Sequence, residues 1–231
     1  MRPNVSLVSA IIAGIDDAGR GPIMGPLVIA GVLIPENEKT RLAGLGVKDS
    51  KILTPESRTR LSAAIRAFTS AISVHEIQPR EIDDVVLRAT KLRKLNYLEA
   101  KVMAQVVKDL KPAKVYVDAS DVNELRFGED IREFLPDELK GIKIISEHHA
   151  DRTYPVVSAA SIIAKVTRDS IIERLHLQYG DFGSGYITDP KTIEFLKSWR
   201  RTHTEYPPIV RLSWRTIKQI ENEITQSRLG P

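Results

Sequence analysis

The sequence predicts an α/β fold: a mixed sheet of five strands, flanked by helices and followed by a helical C-terminal portion. Three observations carry this reading. Short apolar runs alternate with longer segments of helical spacing, the first two runs are linked closely enough to pair as an antiparallel hairpin, and the last segments all read as helices. With 231 residues, 42% of them hydrophobic, the chain can bury one substantial core and a small appended module.

The elements follow in order. "SAIIAGID" (9–16) reads as a buried strand ending in its acids, and "PLVIAGVLIP" (26–35) as a second strand bounded by prolines. "TPESRTRLSAAIRAFTS" offers Thr54 as N-cap, Pro55 at the first helical position and apolar residues at helical spacing. "AISVHEI" is a third strand, and "KLRKLNYLEAKVMAQVVKDL" a long amphipathic helix stopped by Pro112. "KVYVDASD" and "GIKIISEHHAD" are two short strands, each with an aspartate, Asp118 or Asp151, at or just beyond its end. "PVVSAASIIAKVTRDSIIERLHLQYG" is a helix whose first turns carry small residues for close packing on the sheet, with Gly180 ending it. After the loop "DFGSGYITDP", two further helices cover "KTIEFLKSWRRTH" and "LSWRTIKQIENEITQ".

Composition excludes several classes of function. The absence of cysteine removes disulfides, thiolate zinc sites and a cysteine nucleophile, and fits a reducing compartment. No apolar run approaches the roughly 18 residues of a membrane span, so a cytoplasmic protein is expected, with no membrane partner. The formal charge is only +4, but the basic residues cluster. Arg88, Lys91, Arg93, Lys94, Lys101, Lys108, Lys111 and Lys114 face only Glu99 and Asp109 within 86–114. A second cluster, with Arg200, Arg201, Arg211 and Arg215, follows residue 191. Both are either the footprint of a polyanion or solvated helix faces.

Asp16, Asp118 and Asp151 each follow a short apolar strand, with Asp17 beside the first. If the strand ends are neighbours, the acids converge, and converging carboxylates repel unless a cation sits among them. Hard oxygen donors without sulfur favour Mg2+ or Mn2+. Each acid also has a plain structural explanation: Asp16 and Asp17 as a turn, Asp118 or Asp121 as a cap for the following helix, Asp151 as a cap for the long one. His148 and His149 make a poor zinc pair, because adjacent residues on a strand point to opposite faces. Gly19, Gly21 and Gly25 loosely imitate a dinucleotide fingerprint, but that pattern needs a helix opening on the glycines, and here a strand follows. The glycines still allow close backbone approach to a ligand.

Together "GIDDAGRGPIMGPLV", "KDSK", "YVDASD", "EHHAD", "YPVVSAASIIAKVTRD" and "FGSGYITDP" resemble ribonuclease HII, in particular its archaeal forms, from about residue 12 to about residue 215. The resemblance implies a ribonuclease H-like catalytic domain over 1–185 with a C-terminal helical extension over 186–231. It implies a monomeric endonuclease that cleaves RNA paired with DNA and incises 5′ of single ribonucleotides in duplex DNA. Two divalent ions would be held by Asp16, Asp17, Asp118 and Asp151, leaving 5′-phosphate and 3′-hydroxyl ends. The family has glutamate where this chain has Asp17, so the second acid is one methylene short. Gly19, Arg20 and Gly21 match the segment whose backbone reads the 2′-hydroxyl, and Tyr186 matches the sugar-contacting tyrosine. Lys51 and Lys165 match phosphate contacts or site-adjacent charges, with ordinary surface lysine as the alternative. Trp199 and Trp214 are expected to anchor the core rather than stack on bases. The tail "QSRLGP" supplies only Gln226 and Leu229 of a sliding-clamp peptide, so clamp binding through it is not expected.

Overall fold

The computed structural model describes residues 9–47, 53–88 and 94–229. The strands are β1 (Ile11–Ala18), β2 (Leu27–Pro35), β3 (Ala71–Ile77), β4 (Lys114–Asp118) and β5 (Lys143–Glu147). They form one sheet in the order β3-β2-β1-β4-β5. The β1/β2 and β2/β3 pairs are antiparallel, whereas β1/β4 and β4/β5 are parallel. The expected mixed five-stranded sheet is therefore present.

The helices are α1 (Lys39–Gly44), α2 (Pro55–Phe68), α3 (Pro79–Arg88), α4 (Lys94–Leu110), α5 (Glu124–Glu133), α6 (Ala150–Thr153), α7 (Pro155–Tyr179), α8 (Pro190–Thr202) and α9 (Arg215–Leu229). Strand alternation sorts β1 between two cores. Ile12 and Ala18 pack with α7, while Ala13 and Ile15 pack with α4 and α5. Gly14 lets α7 lie directly on β1, since a Cβ there would sit 2.3 Å from the Val156 carbonyl carbon. A third core joins Ile23 and Met24 to Phe182, Leu196, Ile209, Ile217 and Ile220. The C-terminal helices thus pack against the glycine-rich loop between β1 and β2.

The caps are partly as expected. Thr54 accepts from the Ser57 amide at 3.2 Å, and Gly180 ends α7 with φ +83°. Asp151, however, does not cap α7: it lies in the first turn of α6, and Tyr154 precedes α7 without a side-chain cap. Neither Asp118 nor Asp121 caps α5, whose N-cap is Asn123, accepting from the Arg126 amide at 2.9 Å. Asp16 and Asp17 are not in a turn, because β1 continues through both, opposite Ala30 and Ile29.

Candidate active site

Asp16 and Asp17 sit at the carboxyl end of the central strand. Parallel pairing of β1 with β4 puts Ile15 opposite Val117, so Asp118 ends the neighbouring strand. The Asp118 carboxylate accepts the Ala150 amide at 3.0 Å, which ties it to the short helix carrying Asp151. Three strand-end loops thus bring the four acids to one edge of the sheet. Asp16 and Asp151 are each only 5% exposed.

The adjacent aspartates do not share a face. Alternation sends Asp16 toward α7 and Asp17 toward the α4 side, where Ser120 donates to it at 3.4 Å. They still sense one another. Burial, with the charges of Asp17 and Asp118 adding to it, pushes the Asp16 carboxyl well above the ordinary range against the opposing hydrogen bond from the Asp17 amide. Asp17 is pushed up to about 6, again mainly by burial and also by Asp118, with Arg20, Ser120 and Lys165 opposing. Among the described residues no three His, Asp or Glu side chains form a ready-made ligand cluster. The donor set nevertheless fits a hard divalent cation: carboxylate oxygens only, with two carboxyls whose ionised forms a positive charge would stabilise.

A group whose folded pKa is raised contributes stability below its unfolded pKa and loses that contribution as pH rises through the folded value. For Asp17 the window runs from about 4 in the unfolded chain to about 6 in the folded one. Asp121 acts only at lower pH, because hydrogen bonds from Asn123, Asn96 and Arg126 outweigh its burial and hold it at about 2. In chelator, the melting temperature is expected to fall between pH 5 and pH 7, and saturating Mg2+ should flatten the fall. Thermal melts at both pH values check this, and a rise with pH in chelator would contradict it.

Beside the acids opens a cavity of about 700 Å3 lined by Asp17, Gly19, Arg20, Gly21, Arg58, Lys165, Arg168 and Tyr186. The structure therefore gathers the glycine segment, Lys165 and Tyr186 next to Asp17; Lys51, with the rest of "KDSK", lies outside the described residues. Gly19 has φ +89°, and a Cβ on it would lie 2.4 Å from the Arg168 side chain. Tyr186 is 40% exposed. Its ring packs over the Arg168 guanidinium at 5.4 Å, and a Cβ on Gly21 would make ordinary contact with it at 3.7 Å.

Four residues outside the expected set shape the site. Arg168 is 6% exposed, and its Nε and Nη2 have no hydrogen-bond partner among the described residues. Arg211 is fully buried. It donates to the carbonyls of Gly19 at 2.7 Å, Arg20 at 2.9 Å and Gly25 at 3.1 and 2.9 Å. Arg211 is therefore part of neither a polyanion footprint nor a solvated helix face, the two readings offered for its cluster. The same cluster is partly self-neutralised: Lys197 pairs with Glu223 at 2.7 Å and Arg200 with Glu221 at 2.9 Å. Asn96 and Glu99 of α4 hold Arg20, Asn96 at 2.6 Å and Glu99 through a direct ion pair. Their only sequence signal was two polar residues inside a helix otherwise read as basic. The tryptophans are packing anchors, Trp199 stacking on His203 at 4.1 Å and Trp214 donating to the Gly21 carbonyl at 3.1 Å. His148 pairs with Glu124 at 2.9 Å and contacts the Asp121 carbonyl at 2.6 Å; contrary to the strand reading, it and His149 lie in the turn after β5, with His149 at φ +57°.

A family model described as Ribonuclease HII matches residues 13–217. The chain is 48% identical over 223 residues to the ribonuclease HII of Methanosarcina barkeri, covering 94% of this chain and 98% of that protein. Among solved structures, ribonuclease H2 from Pyrococcus horikoshii OT3 superposes with TM-score 0.83 at 43% identity, over 92% of this chain and 98% of that one. The ribonuclease HII of Archaeoglobus fulgidus, solved in complex with PCNA, superposes with TM-score 0.79 at 40% identity, over 90% and 96%. A Bst ribonuclease HIII solved with Mn2+ shares the fold with TM-score 0.76 at 20% identity, over 94% of this chain and 71% of that one.

Proposed function

The chain belongs to the ribonuclease HII family, whose members are endonucleases of RNA-DNA hybrids, and from that premise we propose how it reads and cuts its substrate. It also incises 5′ of single ribonucleotides embedded in duplex DNA. Asp16, Asp17, Asp118 and Asp151 would hold two divalent ions, Mg2+ or Mn2+; the Mn2+ bound to the Bst ribonuclease HIII supports divalent-ion use. Ions bound there would supply Lewis-acid stabilisation of the charge that builds on the phosphate and the leaving 3′ oxygen. Asp151 orients the attacking water. The P–O3′ bond breaks as water adds to phosphorus, leaving 5′-phosphate and 3′-hydroxyl ends. The backbone of Gly19, Arg20 and Gly21, with Tyr186 across from it, tests the sugar for a 2′-hydroxyl, the group that separates RNA from DNA. Lys165 and Lys51 contact phosphate.

The observation that carries this reading is the juxtaposition of buried Asp16 and half-buried Asp17, both with raised carboxyls, with the cavity shared by Gly19, Gly21 and Tyr186. The enzyme is read as a monomer, with 1–185 as its catalytic domain and 186–231 as an extension braced against the glycine loop. The PCNA complex of the Archaeoglobus relative supports a clamp partner for that relative. In this chain the side chains of 227–231, Leu229 among them, lie outside the described residues. No helix among the described residues is long and apolar enough to cross a membrane.

The test is duplex DNA carrying one ribonucleotide, incubated with Mg2+, Mn2+ or chelator. Cleavage 5′ of the ribonucleotide, lost in chelator, is expected; none in either metal would overturn the reading. Restoring the family's reach with Asp17→Glu is expected to raise the Mg2+-supported single-turnover rate several-fold, roughly 1 kcal/mol of barrier. An equal or slower rate would show that Asp17 is not a short substitute.

A further inference from the structure

Arg20 stands three residues after Asp17, and its charge is felt there, opposing the rise of the Asp17 carboxyl. Arginine and carboxylate form the strongest class of charge-assisted hydrogen bond when they meet as a fork. Yet among the described residues Arg20 forms no ion pair with Asp17. Its Nη1 pairs with Glu99, and its Nη2 donates to Asn96 Oδ1 at 2.6 Å. Asn96 is fixed in turn, donating to Asp121 Oδ2 at 2.8 Å. The other oxygen of Asp121 takes the Asn123 amide at 2.9 Å and the Arg126 guanidinium. One helix, α4, therefore bridges the loop after β1 to the loop after β4, the two loops that follow Asp17 and Asp118.

As a source of stability the bridge is poor. Glu99 is fully buried, its Oε1 has no hydrogen-bond partner, and desolvating such a pair offsets most of its Coulomb attraction. Its effect is to decide where the guanidinium lies. We propose that Glu99 and Asn96 are positioning residues that hold Arg20 off Asp17 and so keep that carboxylate open to a divalent cation. The proposal rests on the reading of Asp16, Asp17 and Asp118 as cation ligands.

A double-mutant cycle on the substrate-free full chain, read by calorimetric titration with Mn2+, tests it. Glu99→Gln should weaken Mn2+ binding about tenfold, because Arg20 then swings onto Asp17. Arg20→Gln should change affinity less than about twofold in the wild type, yet restore it nearly fully in the Glu99→Gln background. Simple addition of charges predicts the same factor in both backgrounds, and that result would overturn the proposal. So would an unchanged affinity in Glu99→Gln. If Glu99→Gln does not fold, Asn96→Ala carries the same cycle. A wild type that binds no Mn2+ would instead overturn the underlying reading of the acids, which keeps the two failures distinct.

Discussion

Asp16→Asn is expected to lower cleavage at least about 10³-fold while raising the melting temperature of the metal-free protein. The two effects have one cause. Asp16 is almost wholly buried, and burial together with Asp17 and Asp118 makes its ionised form costly. Asparagine has the same shape and retains an oxygen to accept the Asp17 amide, a contact of 2.7 Å in the wild type. It removes the like charge, so the metal-free fold gains stability at neutral pH. It also removes the donor charge needed to hold a cation, and with it several kcal/mol of transition-state stabilisation. Cleavage kinetics and thermal melts in chelator check both halves. In saturating Mg2+ the stability gain should vanish or reverse, because only the wild type then binds the ion. A variant that loses both activity and stability in chelator would mark Asp16 as a structural acid.

The positions of the acids were legible from strand ends, because an apolar run followed by a polar loop is a local pattern and parallel strands gather their ends at one edge. The separation of Asp16 from Asp17 follows from strand alternation, which does not govern His148 and His149, because β5 ends at Glu147 and His149 is left-handed at φ +57°. The plain alternative for the pair was a turn, and the strand running through both residues instead sends one to each helical layer. Helices α3 and α5 were not read because charged residues fill half of "PREIDDVVLR" and more than half of "ELRFGEDIRE". In α5 only Phe127, Gly128 and Ile131 are buried, too few to impose a visible helical period. Glu99 was read as a counterweight to surface lysines, and only tertiary packing shows it buried against Arg20. Arg211 was hidden for a plainer reason: its partners are backbone carbonyls of residues 19, 20 and 25, which no side-chain pattern marks.

That burial makes Arg211→Met the second large effect. Methionine fills much of the same space but leaves the carbonyls of Gly19, Arg20 and Gly25 without the donors that now meet them. Each such buried acceptor costs about 1–3 kcal/mol, less what is recovered by no longer burying a charge, for a net loss of about 3 kcal/mol. The burial cost is visible in the guanidinium itself, which desolvation, with Arg168 nearby, brings down to about 10. In a chain of this size the loss corresponds to a fall of roughly 6–12 °C in Tm. Arg211→Lys should recover little, because a single ammonium cannot span three carbonyls as the planar fork does. The functional consequence is separate from the stability loss. The strap that carries Arg211 also receives the Gly25 amide at the Ile209 carbonyl, at 2.8 Å, and gives its own amide to Ile23, at 2.9 Å. Both variants should therefore keep the glycine loop roughly in place while freeing the Gly19 and Arg20 peptides that line the cavity. Well below the melting temperature, discrimination between a ribonucleotide and a deoxyribonucleotide at the cleaved junction should fall more than Mn2+ affinity does. Equal losses in both would mean that Arg211 supports the fold alone and not the reading of the sugar.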